Sequence, residues 1–470
     1  MTDFMISVLI LLHGLGIYTA HHAITRCQSP QGAIAWSIAL FTFPILSLPL
    51  YVTFGSHRFI GYVRARRIRD SNLHAQLDKV FHHTENEGLT KGSNRMSIVE
   101  QLCKYSFTNN QVQLLINGEQ AFAAILGAID AAEDYVLLQS YIFRNDELGN
   151  EFLSRLRRKR QAGVRVYLLF DQIGSNDLPN SVVRQLNSEG LEAAWFRSSR
   201  IRRGRLQINF RNHRKLVIVD GKKAFLGGLN IGDEYKEGLK GLGKWRDTHI
   251  VFEGPAVAAA QISFVEDWHY ITDQLPLVLW RSFDQTQSLQ AMTLGVFGPA
   301  DELDTCRLLF IHSLNMARSR IWIASPYLVL DESLLSAFQM ARLRGVDVRV
   351  LITDKTDNLF VAYAGMFSMS KLINSGIKVY QYQTGFMHQK VMLIDDHTAT
   401  VGSANLDQRS FSLNFEVMAW VEDSTFAHEV ARMLEQDLSE SHRVDSDFWL
   451  KLSWQKRFLV MFVRLFSPIL

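Results

Sequence analysis

Two short stretches carry histidine, lysine and aspartate at one spacing. In "NHRKLVIVDG" they are His213, Lys215 and Asp220; 175 residues later, in "MHQKVMLIDD", they are His388, Lys390 and Asp395. One such triplet would carry little information. Here each copy is followed, 17 residues after its histidine, by an asparagine beside small residues: Asn230 in "GGLN" and Asn405 in "GSAN". Small residues there let a phosphate approach backbone N–H groups closely. A duplicated site for an anionic group follows.

Both triplets read as strands rich in β-branched residues. Side chains alternate faces along a strand, so each histidine projects with the lysine two residues on. Each aspartate lies seven residues from its histidine, an odd number, and so faces the other way. It is also about 23 Å away along an extended chain. Asp220 and Asp395 therefore read as turn residues, Asp220 with Gly221 after it. Later, "WRDTHIVF" and "LNFEVMAWV" look like matching strands, each bringing back one carboxylate, Asp247 and Glu416. A carboxylate on the far ring nitrogen of each histidine would fix its tautomer.

Two histidines, two lysines and two asparagines converging on one point suit phosphodiester exchange. One neutral histidine can attack phosphorus and form a covalent phospho-histidine. The other, protonated, can give its proton to the departing alkoxide and later take one from an incoming alcohol. An imidazole pKa of about 6.5 would suit a group that alternates roles. The lysines would offset charge on the non-bridging oxygens. No metal or cofactor is implied, and which histidine attacks first stays open.

The elements that position these groups recur too. "DYVLLQSYIFRNDELGNEFLSRLRRKRQAGVRVYLLFD" (Asp134–Asp171) and "SRIWIASPYLVLDESLLSAFQMARLRGVDVRVLITD" (Ser319–Asp354) each read as strand, loop with Tyr141 or Tyr327, helix, Gly163 or Gly345, then strand. Alternating strands and helices predict an α/β fold with a mainly parallel or mixed sheet. Two similar α/β halves packed as a pseudo-dimer are expected, over 116–285 and 286–470, after an N-terminal membrane region (1–60) and a linker (61–115). The 470-residue length accommodates this. Three scattered cysteines exclude a disulfide framework, and a net charge of +3 demands no polyanionic partner. "GLKGLGKW" (Gly238–Trp245) imitates a phosphate-binding loop but lacks the Ser or Thr after Lys244, and reads as a flexible loop.

The N-terminus is apolar. Phe4–Ala20 would make a helix of about 26 Å, and uncharged Gly32–Phe54 one of about 34 Å with kinks at Pro44 and Pro49. Two transmembrane helices are predicted. Arg58, Arg64, Arg66, Arg67 and Arg69 follow the second, which places the catalytic part in the cytoplasm. The loop before His213 holds Arg197, Arg200, Arg202, Arg203, Arg205 and Arg211, a patch suited to anionic headgroups. The tail from Phe448 repeats apolar residues at helical spacing among Lys451, Lys456, Arg457 and Arg464. It reads either as a helix in the membrane interface or as a terminal helix packed on the core.

With these residues assembled, the chain resembles the phospholipase D superfamily, and within it the bacterial cardiolipin synthases. "NHRKLVIVDGKKAFLGGLNIGDEY", "WRDTHIVFEGPAV", "MHQKVMLIDDHTATVGSANLDQRSFSLNFEV" and the N-terminal apolar segments ending in "PLYVTFG" carry the likeness over nearly the whole chain. The resemblance implies condensation of two phosphatidylglycerols into cardiolipin with release of glycerol, at a bacterial inner membrane, without a cofactor. It implies His213 and His388 as the catalytic pair, with Lys215, Lys390, Asn230 and Asn405 on the phosphate. It also places Asp220 and Asp395 in the catalytic signature, against the strand geometry. Gly228 stands where the second copy has Ser403, so the halves are unequal. Competing readings are a phosphodiesterase that uses water, on lipid or nucleic acid, and a membrane scaffold without activity. The apolar spans argue against nucleic acid.

Overall fold

The computed structural model describes residues 2–27, 30–55, 97–103, 105–197, 210–281 and 290–469. Arg58 to Arg69, the linker residues 62–91, and Arg200, Arg202, Arg203 and Arg205 lie outside the described residues.

The first strands are β1 (Tyr105–Ile116), β2 (Tyr135–Ser140), β3 (Arg165–Asp171), β4 (Glu192–Phe196), β5 (Arg211–Asn212), β6 (Leu216–Val219), β7 (Lys223–Gly227), β8 (Lys244–Arg246) and β9 (Thr248–Glu253). The later ones are β10 (Gln290–Phe297), β11 (Arg320–Ala324), β12 (Asp347–Thr353), β13 (Lys378–Tyr382), β14 (Gly385–Met387), β15 (Val391–Ile394), β16 (Thr398–Gly402), β17 (Asn414–Glu422) and β18 (Ser441–Arg443). Hydrogen bonding orders them β18-β13-β12-β11-β15-β16-β17-β10-β1-β9-β7-β6-β2-β3-β4.

The order repeats outward from the β1–β10 pair. Antiparallel strands come first: β9, β7 and β6 on one side, β17, β16 and β15 on the other. Parallel strands follow: β2, β3 and β4, then β11, β12 and β13. Helices Glu147–Gln161 and Asn180–Ser188 connect the first parallel set, and Glu332–Leu343 and Leu359–Asn374 the second. Parallel strands require such crossovers. The local chemistry matches in both. Asp146 caps the helix Glu147–Gln161 by accepting from Gly149 N–H, and Asp331 caps Glu332–Leu343 by accepting from Leu334 N–H. Gly163 (φ 93°) and Gly345 (φ 87°) take the left-handed turn that follows each helix.

The core lies in layers. A central cluster joins both halves: Tyr135, Leu137 and Phe252 from the first, Leu393, Val417 and Ala419 from the second. Helices Ala256–Thr272 and Ser424–Ser439 are packed into it, contributing Phe264, Trp268, Val430 and Leu434. Each sheet face away from this layer is covered by its own crossover helices, through Phe152 and Leu156 in one half and Phe338 and Leu372 in the other.

The membrane region differs from its prediction. Helix Thr2–Arg26 is apolar and long enough to cross a bilayer. The segment expected as a second spanning helix is two short ones, Pro30–Thr42 and Pro44–Phe54. The break falls at Phe43 (φ −133°, ψ 61°), because the residue before a proline is pushed out of helical geometry. Among the described residues, one helix is thus long and apolar enough to span. The short helices pack back on it: Ala20, Ala23, Leu40 and Tyr51 form a small buried cluster. A Cβ at Gly16 would stand 2.4 Å from the Leu40 carbonyl oxygen, so close helix contact requires glycine there.

Candidate active site

The strands that lead into the two histidines do not pair within their own half. β5 runs parallel to β17, matching Asn212 with Phe415, and β14 runs parallel to β8, matching Met387 with Arg246. The next backbone bonds continue the pairing: His213 N–H donates to Phe415 C=O at 2.9 Å and His388 N–H to Arg246 C=O at 2.8 Å. Each histidine is thereby set beside the carboxylate of the opposite half. His213 Nδ1 lies 3.0 Å from Glu416 Oε2, and His388 Nδ1 lies 2.7 Å from Asp247 Oδ2. A carboxylate acceptor places the proton on Nδ1 and leaves each Nε2 with its lone pair.

The surroundings anchor this crossing. Buried Asp267, on helix Ala256–Thr272, accepts from Arg214 Nη1 (2.7 Å), Asn212 Nδ2 (2.8 Å) and Gln139 Nε2 (2.7 Å). Buried Asp437, on helix Ser424–Ser439, accepts from Arg246 Nε (2.7 Å), Arg246 Nη2 (2.8 Å) and Gln389 Nε2 (2.8 Å). The residue after each histidine is thus tied to a buried aspartate on a central helix. Such charge-assisted, bidentate contacts fix strand position closely. No sequence motif marked these residues, since Asp267 and Asp437 are far along the chain from their partners.

The two histidine sites are unequal. Glu416 also accepts from Ser403 Oγ and from Asn414 Nδ2 (3.1 Å), while Asp247 accepts from Thr248 N–H (2.8 Å). The Gly228/Ser403 difference has a steric cause: a Cβ at Gly228 would stand 2.0 Å from Asp247 Oδ1. Tyr141 meets His213 edge-on at 4.8 Å between centroids, whereas His388 sits against one side of a Trp245–Phe386 pair, at 5.0 Å and 5.9 Å from the two rings. Trp245 ends the glycine-dense stretch read as a flexible loop. There Gly238, Gly241 and Gly243 adopt positive φ and deliver β8 to β14.

Lys215 and Lys390 are buried, each donating to the carbonyl of the histidine two residues before it. Lys215 Nζ also lies 5.2 Å from the Tyr141 ring centroid, and Lys390 Nζ lies 3.0 Å from His388 Nδ1. Burial pushes the Lys215 ammonium down to about 7 and the Lys390 ammonium down to about 8. Burial also pushes the imidazoles down, to about 4 for His213 and about 3 for His388, against the pull of Glu416 and Asp247. The charge of Lys390 reaches His213 and that of Lys215 reaches His388, so the two triplets share one electrostatic environment. Both carboxylates stay ionised: burial opposes this, but hydrogen bonds with the histidines and the charge of Lys215 and Lys390 hold Glu416 and Asp247 below the usual range. The site at rest therefore holds two neutral imidazoles, unlike the near-6.5 value expected from an exposed histidine.

A pH dependence follows. A lysine of lowered pKa holds an anion only below that pKa, so the anion site is charged at pH 6 and is lost as pH rises through about 7 to 8. kcat/KM for an anionic phosphodiester is expected to fall across that window, because it reports the free enzyme. A profile flat from about pH 6 to 9.5 would contradict the assignment.

The asparagines are drawn into their own loops. Asn230 Nδ2 donates to the Tyr235 hydroxyl (3.0 Å) and its Oδ1 accepts from Ile142 N–H (3.1 Å). Asn405 Nδ2 lies 3.3 Å from Asp407 Oδ2, and its buried Oδ1 has no partner among the described residues.

Asp220 and Asp395 are not brought to the histidines. Asp220 (φ 55°) sits in the β6–β7 turn and accepts from the N–H groups of Glu133 (2.8 Å), Asp134 (2.7 Å) and Tyr135 (2.8 Å). Asp395 (φ 50°) accepts from Arg318, Ser319 and Arg320 N–H in the same way. The resemblance carried a catalytic placement for this pair; in the structure each carboxylate is instead occupied by three backbone donors at the far end of the strand, the turn role that the strand geometry gave it. Asp220→Asn is expected to lower stability by about 1.5–3 kcal/mol, since charged hydrogen bonds are lost at a buried turn. Its kcat per folded molecule should be unchanged; thermal melts beside initial rates test this. Asp395→Asn should cost less, its carboxyl being partly exposed.

The family described as "Cardiolipin synthase, PLD-like domain" matches residues 125–239 and 310–438. Proteins named "Cardiolipin synthase A" are similar over the full chain. One from Pseudomonas putida is 40% identical over 468 residues, covering 98% of this chain and 97% of that one. One from Pseudomonas aeruginosa (strain UCBPP-PA14) is 41% identical over 476 residues, covering 100% and 97%. Among solved structures, the phosphatidylserine synthase of Haemophilus influenzae Rd KW20 superposes with a TM-score of 0.61 at 14% identity, over 79% of this chain and 99% of that chain. At that identity the likeness concerns the fold alone.

Proposed function

The chain belongs to the cardiolipin synthase family of phospholipase D-like proteins, and from that premise we propose that it transfers a phosphatidyl group from one phosphatidylglycerol to another, giving cardiolipin and glycerol. The observation that carries this is the crossed pairing of His213 with Glu416 and His388 with Asp247, which keeps the carboxylates on Nδ1 and leaves the Nε2 lone pair of each imidazole for chemistry.

One imidazole Nε2 attacks phosphorus while the glycerol oxygen leaves. The other imidazole, protonated once the phosphate anion raises its pKa, gives that oxygen its proton. A phosphatidyl-histidine and free glycerol result. The second imidazole, now neutral, takes the proton of a hydroxyl on a second phosphatidylglycerol. That oxygen attacks phosphorus, the histidine departs, and cardiolipin is released. One phosphodiester is exchanged for another, so no external energy source is required. Lys215 and Lys390 neutralise the non-bridging oxygens. Asn230 and Asn405 serve beside them by shaping the loops against which the phosphate lies. Glu416 and Asp247 are positioning residues.

The two halves, 116–285 and 286–470, are read as a pseudo-dimer. The mirrored strand order and the crossed strands support it. Helix Thr2–Arg26, with its apolar side chains exposed, supports membrane attachment, and the arginines that follow support a cytoplasmic position for the catalytic part. Full-length enzyme supplied with phosphatidylglycerol labelled in the headgroup glycerol should release one labelled glycerol per cardiolipin formed. Phosphatidic acid as the main product would instead make water the acceptor and sink the transferase reading.

A further inference from the structure

The C-terminal segment from Phe448 onward contains no acidic residue. Its helix Trp454–Arg464 is capped by Ser453 and uses one side for packing. Val463 joins Val329, Val361 and Ala364, with Tyr327 and Tyr363 against them, and the Arg464 guanidinium lies 3.9 Å from the Phe367 ring centroid. The opposite side is bare. Trp454 is 74% exposed, Phe458 69% and Leu465 72%, and Leu359 and Phe360 of the neighbouring helix extend the surface at 66% and 60%. Soluble surfaces rarely collect large apolar side chains in this way.

The place of this surface gives it meaning. Its packed side touches Tyr327, whose hydroxyl binds Asp357 (2.8 Å) at the loop matching that of Tyr141, the residue against His213. The turn Ser467–Ile469 lies against helix Gln408–Ser412, which begins three residues after Asn405. The tail thus packs on the second-half loops that hold Tyr327 and follow Asn405. Lys451 is paired with Asp445 (2.7 Å), but Lys456, Arg457 and Arg464 remain as positive charge beside the apolar side chains. Exposed apolar residues on a tail whose own charges from Phe448 onward are all cationic match an anionic bilayer interface.

We infer that the tail helix, with Leu359 and Phe360, seats the active-site entrance on an anionic membrane surface, separately from the N-terminal helix. This rests on the proposed lipid substrate. A phospholipid can then lift its headgroup to the buried histidines while its acyl chains stay in the bilayer.

The test uses the full chain, with Cys27 replaced by serine, in vesicles containing phosphatidylglycerol. A nitroxide is attached through Phe458→Cys in one sample and Leu343→Cys in another; Leu343 is 81% exposed at the end of helix Glu332–Leu343, which is not among the elements packed on the tail helix. The label at 458 should relax with oxygen far more than with a water-soluble nickel chelate, and the label at 343 the reverse. Equal nickel access at both positions overturns the inference whatever reaction the enzyme catalyses. A second measurement compares Trp454→Gln/Phe458→Gln with wild type on two forms of phosphatidylglycerol. The rate on bilayers should fall at least tenfold, and that on short-chain monomers should be unchanged. An equal fall on both, or on neither, also overturns it. So does a drop in oligomeric mass in detergent, which would assign the surface to a second copy of the chain.

Discussion

Either His213→Ala or His388→Ala is expected to slow cardiolipin formation by at least about 10³-fold, since each removes a nucleophile or a general acid–base. The expectation rests on how little else in the site could substitute. Both imidazoles are buried, each has one ring nitrogen occupied by a carboxylate, and the adjacent lysines donate to backbone carbonyls. Two equal losses in steady-state rate do not say which histidine is phosphorylated. Single-turnover quenching of enzyme mixed with phosphatidylglycerol labelled on its phosphorus separates them. The variant that retains the nucleophile should form labelled protein, slowly because the acid for the departing glycerol is gone, and should hold it, because the same residue is the base that activates the incoming hydroxyl. The other variant should form none. A variant pair that keeps a tenth or more of the wild-type rate would place the chemistry elsewhere.

The second large effect concerns carboxylates that approach from the opposite half. Glu416→Gln and Asp247→Asn preserve buried volume but replace an anion by an amide that can present its NH₂ to the ring nitrogen. The imidazole then loses its fixed tautomer and the partner that stabilises its protonated form. Losses on the order of 10²–10⁴-fold in kcat are expected, the upper end being that seen when the carboxylate of a serine-protease triad is neutralised. The crossed geometry adds a sharper consequence. Glu416→Gln should slow the same step that His213→Ala blocks, and Asp247→Asn the step that His388→Ala blocks. If Glu416→Gln instead shares its defect with His388→Ala, the pairing across halves is wrong. Thermal melts of the amide variants should stay near wild type, which separates a misplaced proton from an unfolded site.

Some of this design is readable from local order in the chain. The two-residue step from His213 to Lys215, and from His388 to Lys390, puts each pair on one side of a strand because a pleated backbone alternates faces. The odd seven-residue step sends Asp220 and Asp395 to the other side, where three successive N–H groups leading into a neighbouring strand occupy each. Asp146 and Asp331 ahead of their helices, and Gly163 and Gly345 after them, mark the crossover units through interactions spanning a few residues. Pro44 breaks the second apolar segment by an equally local restriction on Phe43, stronger than the kink anticipated for it.

The rest depended on contacts that no local rule reaches. Glu416 stands 203 residues from His213 and Asp247 stands 141 from His388, and either carboxylate could have served either ring as far as spacing went. Packing of β5 on β17 and β8 on β14 made that choice, held by Asp267 and Asp437 on the buried central helices. Burial then set the charge states, pushing the histidines and lysines down together. By itself the sequence determined which groups this protein brings and which face of each strand they share, because those follow from backbone geometry over a few residues. Only the tertiary structure decided which groups meet and how they are charged, because both depend on what the folded chain excludes from water.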